Sequence, residues 1–219
     1  MKINIIMDDK KSWAYKKIPS LTEAIKKHGH SCFFLTKQKE IQKGSDVSFF
    51  LSCKEHISKG ARDKSRYNII IHGSDLPKGR GISPVTWQIL EGKNKIPVTL
   101  FEVADRLDEG DYYFKDRIML DGTELYDDWK EKEFTCAKRM ILKFLKLSEN
   151  LKPKKQKGRP SFYGKRIPSD GKLDINLPIK EQINMFRVAD NEKYPTFFIY
   201  KNKRYTLKVY EDKMGTRKK

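Results

Sequence analysis

The residues best able to do chemistry in this chain sit at the ends of apolar runs. Ile69, Ile70 and Ile71 lead into His72, which opens the loop "GSDLPKGRG". An imidazole at such a place can take or give a proton near neutral pH, once a partner fixes its tautomer. A lone histidine at a strand end is more often a satisfied structural residue than a catalyst, so the partner decides. After one further apolar stretch Asp105, Asp108, Glu109 and Asp111 crowd into a turn, and at least one of them could reach a histidine on a neighbouring strand end. The loop after His72 lacks G-x-G-x-x-G, and Pro77 argues against a phosphate cradle. Gly79 and Gly81 permit a tight exposed turn there. His28 and His30 flank Gly29 and read as cap and loop residues. Cys32, Cys53 and Cys136 are scattered without zinc spacing, which suits a reducing compartment and predicts no metal site.

The elements that must position His72 are legible from periodicity. "KINIIM" is a strand, and residues 20–27 form a helix in which Ser20 and Glu23 make a capping box and Gly29 marks the end. "CFFLT", "VSFFLS" and "YNIII" follow as strands whose continuous apolar character suits a parallel sheet covered on both faces. A helix from Pro84 and the strand "IPVTLFE" come next. This order predicts an α/β fold, a Rossmann-like open sheet, and ligands in such sheets bind at the carboxyl ends of the strands, where His72 falls. The helical pattern over residues 123–147 should cover the sheet, with Trp129 and Phe134 in the core. "SENLKPKKQKG" reads as a linker or mobile loop, dividing a main domain at residues 1–150 from a short C-terminal subdomain and basic tail at 151–219, built from a helix and a strand pair.

With 219 residues the chain can bury a full core plus a small appendage. No run of 18 apolar residues and no leader pattern is present, so the expectation is a cytoplasmic protein without a membrane partner. Lysine and arginine number 47 against 29 acidic residues, a formal charge of +18. Such a field attracts polyanions. The lysines are spread over nearly every segment, which argues for a solvated surface over a dedicated nucleic-acid site; "KPKKQKGR" and the closing "RKK" are read as linker and tail.

The run "HGSDLPKGRGISPVTWQILEG", followed by "VTLFEVADRLDEGD", resembles the formyltransferases that use 10-formyltetrahydrofolate, a family that includes methionyl-tRNA, glycinamide ribonucleotide and sugar N-formyltransferases. The pattern H-x-S-x-L-P-x-x-x-G is matched by His72, Ser74, Leu76, Pro77 and Gly81, and L-D-x-G by Leu107, Asp108 and Gly110. The resemblance implies that His72 and Asp108 are catalytic, the histidine handling the proton and oxyanion and the aspartate orienting it. It also implies a folate site involving Ser74, Leu76, Pro77, Val98 and Asp105.

One position departs from that pattern. The family's asparagine two residues before the histidine is Ile70 here, and Asn68, on the same face of the strand, lies roughly 13 Å from His72 at ~3.3 Å per residue. Asp75 stands where the family has leucine and is expected to face solvent or the amine. The C-terminal block "FYGKRIPSDGKLD" resembles the segment after the catalytic domain of tRNA and sugar formyltransferases. Methionyl-tRNA formyltransferases continue into a further β-barrel domain, whereas only a short basic stretch follows Val209, so the resemblance favours the amine of a nucleotide-linked deoxyamino sugar as acceptor. Arg80, Lys165 and Arg166 are then candidates for its diphosphate, the alternative being ion pairs with Asp170 or Asp174 that hold the segment to the main domain. Methionyl-tRNA or glycinamide ribonucleotide remains open as acceptor, and so does a homodimer. From a different class, a non-catalytic basic protein that binds nucleotides or nucleic acid on the same fold would account for Ile70 and the charge.

Overall fold

The computed structural model describes residues 1–212; the closing "RKK" lies outside the described residues. Among the described residues, ten strands and five α-helices follow in chain order. The first half contains β1 (Lys2–Ile6), α1 (Ile18–Lys27), β2 (Ser31–Leu35), β3 (Ser45–Phe50), α2 (Lys59–Arg62), β4 (Ser65–His72), β5 (Arg80–Gly81), α3 (Pro84–Leu90) and β6 (Lys95–Glu102). The second half contains β7 (Tyr112–Met119), α4 (Tyr126–Leu147), β8 (Phe162–Tyr163), α5 (Ile183–Arg187), β9 (Thr196–Tyr200) and β10 (Lys203–Leu207).

Six strands form one open sheet in the order β2-β1-β3-β4-β6-β7. The isoleucine- and phenylalanine-rich strands β1, β3 and β4 run parallel and are buried on both faces, as their continuous apolar runs predict. The sheet is mixed, however: β6 is antiparallel to β4, and β7 is antiparallel to β6. Strand β7 is not legible as a buried strand because it is an edge, and its charged residues Lys115, Asp116 and Arg117 stand beside apolar ones.

The two faces of the sheet have different covers. Ile69 and Ile71 of β4 point to the main core, where Trp129, Met140, Ile141 and Phe144 of α4 are fully buried. Asn68, Ile70 and His72 point to the opposite face. There Ile70 packs against a smaller cluster of Ile6, Ile41, Phe50, Ile57 and Ala61. At its far end α4 is tied to the C-terminal part, since Trp129 Nε1 donates to Arg187 O at 2.9 Å. Arg187 is itself buried beside Glu124.

Helix α1 begins at Ile18, two residues before the expected start, because Pro19 suits the first turn. The capping box does not form: the Ser20 hydroxyl donates to Lys17 O, and Glu23 pairs with Lys27 one turn on. Gly29, at φ +80°, does close the helix. The "KPKKQKG" segment is stitched to the sheet, with Lys154 and Tyr112 exchanging two backbone hydrogen bonds at 2.8 and 2.9 Å. The expected C-terminal helix and strand pair are present as α5 and the β9–β10 hairpin.

Candidate active site

Strand β4 delivers His72 to the carboxyl end of the sheet, and the chain then turns back over it. His72 Nε2 lies 2.8 Å from Gly79 O, a pure acceptor, so Nε2 carries the proton. The same nitrogen is 3.8 Å from Asp108 Oδ2. Nδ1 makes no hydrogen bond among the described residues, which makes it the nitrogen open to a reacting group. Both side chains are buried, at 9% and 5% exposure, so their interaction escapes most solvent screening.

The backbone holds the carboxylate in place. Asp108 sits at φ +57°, a left-handed conformation that a non-glycine residue keeps only when its surroundings fix it. Its Oδ2 accepts from Gly81 N at 2.9 Å, and its carbonyl accepts from Gln156 Nε2 at 2.8 Å. Gln156 Nε2 also donates to Gly110 O at 2.8 Å. Gly110 is a close approach: a Cβ there would stand 1.6 Å from Glu102 O. The glycine of the second motif is thus required where the turn doubles back on β6. Sequence reasoning missed Gln156, since a glutamine among lysines carries no local signal.

The loop after His72 is paired to a segment some eighty residues later. Strands β5 and β8 form a two-stranded parallel sheet, Arg80 N donating to Ser161 O and Ile82 N to Tyr163 O. Gly79 N donates to Ser161 Oγ at 2.9 Å. A Cβ on Gly81 would stand 2.3 Å from Tyr163 O, so that glycine serves the pairing as well as the turn. Tyr163 stacks on Trp87, with rings 6.4 Å apart and 9° from parallel, and its hydroxyl donates to Glu91. Trp87 Nε1 donates to Gly164 O. The aromatic block "FYG" therefore completes the wall of the His72 loop.

The remaining candidates fall in several places. Ser74 is buried beside Gly79, and its Oγ has no hydrogen-bond partner; its carbonyl accepts from Thr99 Oγ1. Leu76 is buried, and Pro77 follows it in the same loop. Val98 is turned into the main core on the face away from His72. Asp105 is exposed and pairs with Arg62. The Arg80 guanidinium is buried in an ion pair with Glu109 at 2.7 Å and donates to Gln156 Oε1 at 2.9 Å, so its carboxylate partner is neither Asp170 nor Asp174. Arg166 donates to Val188 O, and burial pulls its guanidinium below the ordinary range, opposed by Asp170. Lys165 is exposed. Asn68 is committed elsewhere, donating through Nδ2 to Arg62 O and Ser65 O. Asp75 pairs with Lys115 at 2.5 Å.

A further acid lies at the end of β6. Burial pushes Glu102 up to about 7, although Asn68 N–H and the Tyr113 hydroxyl both donate to it and pull the other way. It shares the core face with Ile69, across the sheet from His72.

Comparisons with known proteins bear on the fold that carries this geometry. The formyl transferase family model matches residues 37–143, a span that includes His72 and Asp108. Over those residues the chain is similar to formyl transferase domains. Curated relatives include the methionyl-tRNA formyltransferases of Ehrlichia canis, 27% identical over 78% of this chain and 55% of that protein, and of Coprothermobacter proteolyticus, 33% identical over 66% and 48%. The chain spans about half the length of these curated relatives. Among solved structures, a methionyl-tRNA formyltransferase from Clostridium thermocellum superposes with a TM-score of 0.76 at 22% identity, covering 98% of this chain and 95% of that one. A 4-N formyltransferase from Francisella tularensis gives 0.68 at 16% identity over 97% and 98%. HypX from Aquifex aeolicus in complex with tetrahydrofolic acid gives 0.78 at 17% identity over 95% and 37%. At these identities the structural likeness shows the fold, which is the open α/β sheet that formyl transferase domains share. The Clostridium thermocellum methionyl-tRNA formyltransferase is matched over 95% of its chain, so the extent of this one does not separate tRNA from sugar acceptors.

Proposed function

We propose that this protein is an N-formyltransferase that passes the formyl group of 10-formyltetrahydrofolate to the amine of a nucleotide-linked amino sugar. The observation that carries the reaction is the His72 arrangement: a buried imidazole with Nε2–H held by Gly79 O, a carboxylate 3.8 Å away, and Nδ1 open. The residues fit a bound formyl donor, because the buried Ser74 hydroxyl on the same loop lacks a partner that a polar ligand atom would supply. The folate supplies the carbonyl carbon that the amine attacks. His72 accepts at Nδ1 the proton that the amine sheds, Asp108 stabilises the imidazolium that results, and the imidazolium returns the proton to the folate nitrogen as the bond from that nitrogen to the formyl carbon breaks and tetrahydrofolate leaves. Ile70, at the place of the family asparagine, has no group for an oxyanion, which leaves Ser74 Oγ and loop N–H groups to that task.

A second reading keeps the same chemistry with methionyl-tRNA as acceptor, favoured by the names of the curated relatives. Incubation with 10-formyltetrahydrofolate and, in parallel, a panel of nucleotide-linked 3-amino and 4-amino sugars and charged initiator tRNA, read by product mass, separates the two. Turnover is expected to fall below detection in His72→Ala and by at least about 10²-fold in Asp108→Asn. Full activity in either folded variant refutes the assignment.

A further inference from the structure

The strongest unassigned feature is a lysine-lined pocket beside the catalytic loop. Leu76, Tyr112, Lys115, Lys154, Lys155 and Lys157 enclose about 300 Å³. Four of its six lining residues are cations, and none is an acid. Its place in the fold follows from register. His72 pairs with Thr99, which pairs with Lys115, so the three occupy one row on one face of the sheet. With strands ≈ 4.8 Å apart, the backbones of His72 and Lys115 stand about 10 Å apart along that row. Helix α4 packs on the other face, leaving this one to the His72 loop and the 154–157 segment.

This is a built pocket. Lys115 Nζ donates to Asp75 Oδ1 at 2.5 Å and to Leu76 O at 2.8 Å, and lies 4.9 Å from the centre of the Tyr112 ring. The paired backbones of Lys154 and Tyr112 fix one wall, and Gln156, between Lys155 and Lys157, is anchored to the turn that carries Asp108. Among the described residues Lys154, Lys155 and Lys157 have no carboxylate partner, whereas Lys115 shares Asp75. Like charges gathered in a concave, partly apolar cleft raise the local concentration of anions.

We propose that this pocket binds the phosphate groups of the amine acceptor and so orients the acceptor toward His72. The inference rests on the formyl-transfer reading for its purpose, but phosphate binding stands or falls on its own. A pocket at the lower end of the size range of small-molecule sites holds a diphosphate, and lysines bind phosphate as point charges without demanding one geometry.

Inorganic pyrophosphate and uridine diphosphate are the probes, titrated calorimetrically into the whole protein at two salt concentrations, with a short single-stranded RNA as a third arm. Wild type should bind both diphosphates, more weakly at the higher salt. Lys155→Glu with Lys157→Glu should weaken that binding at least about tenfold. Both side chains are exposed and unpaired, so melting should be unchanged; Lys155→Gln with Lys157→Gln serves as a milder check. Diphosphate binding that persists unchanged in the double glutamate variant overturns the proposal, and so does its absence in wild type, even when RNA binds. Diphosphate binding that is lost in the variant supports the pocket even if no acceptor is formylated, an outcome that would remove the enzymatic reading alone.

Discussion

Gln156→Ala tests whether the acidic turn is held from outside. The side chain makes three hydrogen bonds, two donated to Asp108 O and Gly110 O at 2.8 Å and one accepted from Arg80 at 2.9 Å. At roughly 1 kcal/mol each they set a ceiling of about 3 kcal/mol. Gln156 is half-buried and water can replace part of this, so a loss of about 2 kcal/mol is expected, or a fall in Tm of roughly 4–8 °C for a chain of this size. The effect on catalysis should be larger. Without the clamp the left-handed Asp108 can relax, and a carboxylate displaced by about 1 Å can cost on the order of 10²-fold in rate. Differential scanning fluorimetry and steady-state formyl transfer read the two quantities. Amide exchange at Gly81, whose N–H donates to Asp108, reports the carboxylate directly and should accelerate. A Tm within 1 °C or so of wild type, with unaltered Gly81 exchange and rate, would refute the clamp.

Three further outcomes are expected. Arg80→Ala should lower Tm and leave the KM for the acceptor within about twofold, because its guanidinium is already committed to Glu109 and Gln156; a selective rise in KM with unchanged melting contradicts this. Glu102 titrates at about 7 in the folded protein against an ordinary 4.5, so its contribution is full below pH 4.5 and is lost as pH rises through 7, on the order of 3 kcal/mol. Urea midpoints of Glu102→Gln should therefore vary less between pH 5 and 8 than those of wild type, and parallel curves would exclude the group as the cause. Ile70→Asn should cost about 1–3 kcal/mol by burying an amide in an apolar cluster, yet raise kcat by supplying an oxyanion donor; a folded variant with reduced kcat shows that the site has been rebuilt around isoleucine.

The parts of this fold that announce themselves in sequence are those with one dominant force. Runs such as "NIII" admit few alternatives to a doubly covered strand, and His72 at the end of one falls where ligands bind in open sheets. Glycines that tolerate no Cβ, Gly81 and Gly110, mark the two loops of the site because sterics leave no substitute. Long-range pairing is where the reading ends. Nothing local in "KPKKQKG" shows that Lys154 bridges to Tyr112 or that Gln156 reaches Asp108, and the lysines that suggested a linker line a pocket. The start of α1 differs from the sequence pattern for a subtler reason: Ser20 and Glu23 fit a capping box, but Pro19 fits the first helical turn better and displaces it.

The β5–β8 pairing also orders events in time. Synthesis runs from the N-terminus, and the six strands of the open sheet can assemble once α4 has emerged to cover them. The His72 loop, however, lacks its partner strand until Tyr163 is free of the ribosome, and the Asp108 turn lacks Gln156 until shortly before that. A nascent chain halted between these points would carry a formed sheet beneath an unset His72 loop, so the candidate site closes last, after the framework that supports it.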